Sequence, residues 1–220
     1  RQIGLSQGQS VPVVAGGRLT GRSGAYSIGA INIQTAEKTS AGAPSTNFSV
    51  VRIKRDILRR SSIGMLATNR NPSGAGESST AGGIDANFGF YQNIAINGYL
   101  ARTSAQPGRP GGSTSYRAFA EYSGDRYGLE GEHLLIGAGF TPEVGYVRRT
   151  DFRRSHLQAR FSPRTRRSRL VRRLVWQGGV DYVEDASRTT VQNRDLSGEF
   201  DVELNSGDQF ALTYQHSYRS

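Results

Sequence analysis

Three histidines, His133, His156 and His216, are the only imidazoles in the chain. None falls in an HExxH or comparable ligand spacing, so a metal centre is not expected. Carboxylates come in strand-spaced sets: Glu130 with Glu132, and Glu199 with Asp201 and Glu203. Residues two apart on a strand project to the same side, about 6.5–7 Å apart, which is compatible with paired-carboxylate glycoside hydrolysis. The same carboxylates can instead neutralise Arg117, Arg160 and Arg173, and that is the favoured reading. Cysteine is absent, which removes disulfides, thiolate metal sites and cysteine nucleophiles. The glycine pairs Gly82-Gly83 and Gly111-Gly112 punctuate loops, and none lies between a strand and a helix as a phosphate cradle requires. Neither a GxSxG elbow nor a P-loop occurs. The chain is read as non-enzymatic and without a cofactor.

These residues need elements to position them, and the elements are strands. Apolar residues recur with period two rather than 3.6. Tyr127, Leu129, Gly131 and His133 oppose Arg126, Gly128, Glu130 and Glu132. Leu157, Ala159 and Phe161 oppose His156, Gln158 and Arg160. Leu174, Trp176, Gly178, Val180 and Tyr182 oppose Gln177, Gly179 and Asp181. Leu196, Gly198, Phe200, Val202 and Leu204 oppose Ser197, Glu199, Asp201 and Glu203. A phase slip near Ala30-Ile31 reads as a bulge. About twelve strands result, each near the ~9–11 residues that cross a bilayer as tilted β. Short connections at Ser23-Gly24, Asp56–Ser61, Tyr91–Asn93, Ser123–Asp125, Ser162–Ser168 and Asn205–Asp208 alternate with longer ones. The longer ones lie at Ala36–Thr46, Arg70–Gly83, Thr103–Gly112, Gly137–Arg154 and Glu184–Thr190. An outer-membrane barrel has this rhythm, with tight turns at one rim and long loops at the other.

The expected fold is therefore all-β: one segment, residues 1–220, of an antiparallel up-and-down transmembrane β-barrel. Its polar face would line the lumen with Arg52, Asp85, Arg117, Glu121, Glu130, Glu132, Arg160, Asp181, Glu199 and Asp201. The stretch Phe140 to Arg154, with Phe140, Pro142, Arg148, Arg149 and Asp151, is expected as a loop folded into or over that lumen. The bland alternative is an external loop packed on itself. Lys+Arg number 28 against 18 Asp+Glu, a net charge of +10, and lysine occurs only at 38 and 54. The charge invites a nucleic-acid reading, but the arginines fall at alternate strand positions instead of one basic face, so no nucleic-acid partner is expected. A soluble all-β carbohydrate-binding module and a carbohydrate-active enzyme are the remaining competitors.

The stretch Arg1–Thr35 carries a resemblance, with Arg1-Gln2-Ile3-Gly4-Leu5, Val11-Pro12, Gly16-Gly17-Arg18-Leu19-Thr20-Gly21-Arg22 and Tyr26-Ser27-Ile28-Gly29. Val50-Val51-Arg52-Ile53-Lys54-Arg55-Asp56, Arg60-Ser61-Ser62-Ile63-Gly64 and Phe140 to Phe152 continue it. Together they resemble the barrel region of a bacterial outer-membrane family, domain-of-unknown-function family 5916. The resemblance implies Gram-negative outer-membrane residence, contact with its lipid, and a carbohydrate-binding-family-9-like domain and export signal ahead of residue 1. It implies further strands beyond residue 220 and a saccharide or other small solute as partner. It brings no mechanism with it.

Overall fold

The computed structural model describes residues 3–74, 76–104, 113–165 and 168–220. A two-residue hairpin comes first, β1 (Leu5–Ser6) and β2 (Gln9–Ser10). Twelve longer strands follow: β3 (Val13–Ser23), β4 (Tyr26–Thr35), β5 (Thr46–Leu58), β6 (Ser61–Pro72), β7 (Ser79–Phe90) and β8 (Ile94–Thr103), then β9 (Thr114–Ser123), β10 (Tyr127–Ile136), β11 (Phe152–Phe161), β12 (Val171–Glu184), β13 (Val191–Leu204) and β14 (Gln209–Arg219). They form one sheet in strict sequence order from β3 to β14, with no pairing between those two edge strands. The expected all-β, antiparallel, up-and-down arrangement is present as an open sheet.

Period-two alternation is realised as rows of side chains running across the strands. The described residues divide into two compact units. One lies within 1–87, 99–116 and 136–150, the other within 88–98, 117–135 and 151–220. In the first unit, one face stacks Ile28, Ile53, Met65 and Ile84 in a row, then Ala30, Val51, Ala67 and Gly82. The next row on that face turns polar, with Asn32, Ser49, Asn69 and Thr80. The Asn32 amide donates to Asn47 Oδ1 and Ser49 Oγ at 2.9 and 2.8 Å, tying this polar row to Asn47 beside it. The phase slip at Ala30-Ile31 is thus a change of chemistry along an unbroken strand. Pairing of β4 with both neighbours runs straight through it, and the register shift on that side lies between Val13 and Ala15.

In the second unit the apolar face carries four rows. They are Leu174, Val202 and Phe210; Phe161, Trp176, Phe200 and Leu212; Ala159, Gly178, Gly198 and Tyr214; and Leu157, Val180, Leu196 and His216. At about 3.3 Å per residue, four rows span about 20 Å. Nothing in the described chain covers this face. Leu157, Leu196 and Leu212 are 54, 45 and 72 % exposed, Met65 on the first unit's apolar face is 52 % exposed, and among the described residues the buried apolar side chains are only Val11, Ala41, Pro72 and Phe140.

The connections depart from the expected rhythm at two places. Strand β6 runs on to Pro72 and β7 begins at Ser79, so the loop foreseen at Arg70–Gly83 shrinks to residues 73–78. The connection between β11 and β12, foreseen as short, spans 162–170 and is longer than both 73–78 and 185–190. Cross-strand pairing extends strands into stretches that composition alone marks as loop. Both edge strands, β3 and β14, are exposed along their whole length.

Close strand approach makes one glycine a sharp test of the register. A Cβ on Gly98 of β8 would sit 2.6 Å from the Arg117 carbonyl oxygen, whereas one on Gly21 meets nothing within 4 Å. Gly98→Ala should lower folding stability by about 1–3 kcal/mol. Gly21→Ala should leave it within about 0.5 kcal/mol. Urea titration of the folded chain by circular dichroism reads both.

Candidate functional site

Opposite the apolar rows, each unit presents a polar face on which charges find partners across strands. In the first unit Arg52 of β5 reaches over β6 to Asp85 of β7. Its Nη2 donates to Oδ1 at 2.9 Å, and Nη1 donates to Oδ2. Gly64 of β6 makes this possible, because a Cβ there would sit 2.7 Å from the Arg52 guanidinium.

The second unit carries a longer ladder. Arg117 of β9 donates from Nη1 to Asn97 Oδ1 at 2.8 Å and from Nε to Glu132 Oε2 at 2.5 Å. Glu132 of β10 accepts on its other oxygen from Arg154 Nη1 at 3.2 Å. Arg154 of β11 passes on to Asp181 of β12 through Nε, at 2.8 Å, and through Nη2. His156, two residues along β11, sits with Nδ1 3.3 Å from Asp181 and Nε2 3.8 Å from Glu130. Asp181 stands directly opposite Asp195 on β13, a like-charge pair that Arg154 offsets from one side. From the other side, Asn193 donates to Asp195 at 2.6 Å.

The residues singled out by sequence divide accordingly. Arg52 and Asp85 meet each other, and Arg117, Glu132 and Asp181 belong to the ladder, with Glu130 at its His156 end. Arg160 turns to the strand end instead and donates to the Gly124 and Asp125 carbonyls at 2.6 and 3.3 Å. Glu199 and Asp201 share the face of Gln177 but stand two and four residues nearer the 205–208 turn than Ser197. Glu121 shares the parity of Arg117 on β9. Both Glu132 oxygens accept from guanidinium groups, so the strand-spaced pair Glu130 and Glu132 does not stand as two free carboxyls. Arg154 was missed as a ladder member because the expected loop ran to 154, whereas β11 begins at Phe152.

The first unit also holds a cavity of about 390 Å³, lined among others by Leu5, Gln7, Val11, Phe48, Arg70 and Glu143. Its roof is the β1–β2 hairpin, which turns through Gln7 (φ 49°) and Gly8 (φ 78°). Ser6 Oγ donates to Ala41 O at 3.2 Å and Lys38 Nζ to Ser10 O at 2.7 Å, fastening the hairpin to the loop after β4. Sequence reading did not anticipate this hairpin, and the Gln7-Gly8 pair is the one signal that could have marked it. The loop at 137–151 contributes Glu143 to the cavity and folds Phe140 inward, 7 % exposed. The Thr141 amide donates to Thr103 Oγ1 at 3.4 Å. Pro142 accepts a turn hydrogen bond from Gly145 at 3.1 Å, while Arg148, Arg149 and Asp151 are exposed. One loop therefore has an inward half and an outward half. The cavity's mixture of an aromatic ring, aliphatic carbons, a donor-only guanidinium and an acceptor-only carboxylate suits a small solute with both hydroxyl and apolar surface.

Compared with family models, curated proteins and solved structures, the chain matches none.

Glu132→Gln removes the charge and one of the two acceptor oxygens that two arginines use, and should cost about 1–3 kcal/mol. Combined with Asp181→Asn, the loss should be non-additive by more than about 0.5 kcal/mol, since both act through Arg154. Denaturant titration of the four-member cycle measures this. In the turn after β12, the Ser187 and Thr189 hydroxyls and the Thr190 and Thr189 amides all donate to Asp185, holding its carboxyl well below the usual carboxylate range. A depressed pKa contributes order above the free value, near 3.9, and loses it only as pH falls through the lower, folded value. The amide resonances of Thr189 and Thr190 should hold their shifts from pH 7 to about pH 3. A titration step near pH 4 would contradict this.

Proposed function

We propose that the chain is a segment of a transmembrane β-barrel from a Gram-negative outer membrane, acting in the passage or surface binding of a small solute. The observation that carries the reading is the inversion of the sheet's two faces. The face rich in Leu, Ile, Val, Phe and Trp lies uncovered, while the face bearing ion pairs holds the less exposed side chains, Glu132 at 12 % and Asp181 at 20 %. A water-soluble sandwich hides the first and presents the second. Lipid asks for the reverse. The long strands, ten to fourteen residues each, suffice to cross a hydrocarbon layer when tilted. The apolar rows give way to an asparagine-rich row, as a strand leaving that layer requires.

On this reading the charged rows face a wet lumen, and the ladder from Asn97 to Asp181 stiffens its wall. The cavity roofed by the β1–β2 hairpin and edged by Arg70 and Glu143 would be the place where a solute lingers. The resemblance to domain-of-unknown-function family 5916 supports the same assignment and supplies the association with saccharide. Folded barrels resist dodecyl sulfate until boiled. The full chain should fractionate with outer membranes and change its gel mobility on heating. A soluble chain with no heat-dependent shift would overturn the barrel and favour the carbohydrate-binding module.

A further inference from the structure

The apolar face of the second unit is not uniform. Tyr127 of β10 stacks on Phe161 of β11 at 5.2 Å between ring centroids, Phe161 stacks on Trp176 of β12 at 5.6 Å, and Trp176 packs tilted against Phe200 of β13 at 5.1 Å. This aromatic ridge lies one row from Ala159, Gly178 and Gly198, where side chains all but vanish. Beyond them the surface rises again with Leu157, Val180 and Leu196. Ridge and depression together form an open apolar groove of about 840 Å³.

A cation guards one end of it. The Arg126 guanidinium lies over the Tyr127 ring at 5.4 Å and the Phe161 ring at 5.2 Å. Stacking engages the flat face of a guanidinium and leaves its in-plane N–H donors for an anion, which they bind in bidentate fashion. Two of the neighbouring arginines already have carboxylate partners, while Asp208 is met only by a serine hydroxyl. Arg164 is 2.8 Å from Asp125, Arg172 is 2.9 Å from Glu203, and Asp208 accepts from Ser206 at 2.7 Å. Among the described residues, Arg126 forms no ion pair. Arg169, another described arginine of this rim, is exposed and also forms no ion pair among the described residues, which leaves the local balance positive. A donor-rich cation stacked on the end of an apolar groove is complementary to a phosphate bearing a hydrocarbon tail. A headgroup ammonium placed beside Arg126 would meet a like charge, and the nearby carboxylates Asp125 and Glu203 are already paired with Arg164 and Arg172.

We propose that Arg126 and this groove bind an anionic phospholipid of the phosphatidylglycerol type. The phosphate would sit on the Arg126 guanidinium and one acyl chain against Ala159, Gly178 and Gly198. The proposal rests on the membrane-barrel reading, and its test separates the two. Trp176 is the only tryptophan in the chain and forms part of the ridge. The full chain is reconstituted in phosphatidylcholine vesicles containing a small fraction of acyl-brominated phosphatidylglycerol or, in parallel, of acyl-brominated phosphatidylcholine. Tryptophan fluorescence then reports bromine in the groove. The brominated phosphatidylglycerol should be enriched at Trp176 about fivefold over the neutral lipid, the gain one arginine brings at an anionic surface. Arg126→Gln should erase that preference while leaving quenching by the neutral lipid unchanged, and Arg126→Lys should restore part of it. Equal quenching by the two lipids would overturn the site and leave the barrel standing. So would a preference that survives Arg126→Gln. No quenching by either lipid would overturn the barrel reading itself.

Discussion

Everything in this structure depends on where its apolar surface can go. A single sheet has two faces, and a soluble fold must bury one of them against another layer. Here no described residue forms a second layer on the apolar face. The buried apolar residues Val11, Ala41, Pro72 and Phe140 sit at loops, a strand end and the N-terminal segment, away from the rows of Leu, Ile, Val and aromatic side chains. Burying a Leu or Phe side chain is worth about 1.5–3 kcal/mol, so dozens of such residues left in water would forfeit the main driving force for folding. Hydrocarbon removes the penalty without requiring a core. The backbone accepts the same solvent, because in a sheet each interior strand satisfies its peptide groups against its neighbours.

The polar face answers a different requirement. With no packed core on that side, order must come from directional contacts between side chains on successive strands. The chain of partners from Asn97 through Arg117, Glu132 and Arg154 to Asp181 crosses β8 to β12 and links each strand to the next. Individually, part-exposed ion pairs contribute little. Linked through shared carboxylates, they fix register as well, because a slip of one residue would turn every ladder residue to the apolar face.

The architecture was legible in the sequence because one face is so consistently apolar. Alternation at Leu157-Ala159-Phe161 or Leu196-Gly198-Phe200 leaves little choice but a strand, and the expected twelve-strand meander is the sheet observed. The partners within the polar face were less legible. Arg154 and Asp181 lie 27 residues apart, and only the pairing of Leu157 with Val180 brings them together. Sequence spacing marks the face a residue occupies but not its neighbour on the next strand. Loop boundaries failed for a related reason. Stretches such as Arg70–Pro72 have loop composition and are held in strand form by Phe48 and Thr46 opposite them. The β1–β2 hairpin is built from residues too short in pattern to register as strands, and its Gln7-Gly8 turn was its only mark.

The two edge strands carry a practical consequence. β3 and β14 are each eleven residues long, contain neither proline nor lysine, and are exposed throughout. Soluble sheets blunt such edges with the very residues that are missing here. Outside a membrane each edge is a template onto which any extended polypeptide can add. In cytoplasmic expression the chain should therefore be driven into insoluble, cross-β-rich deposits. Recovery should depend on keeping it in denaturant until detergent or lipid is present to take the apolar face.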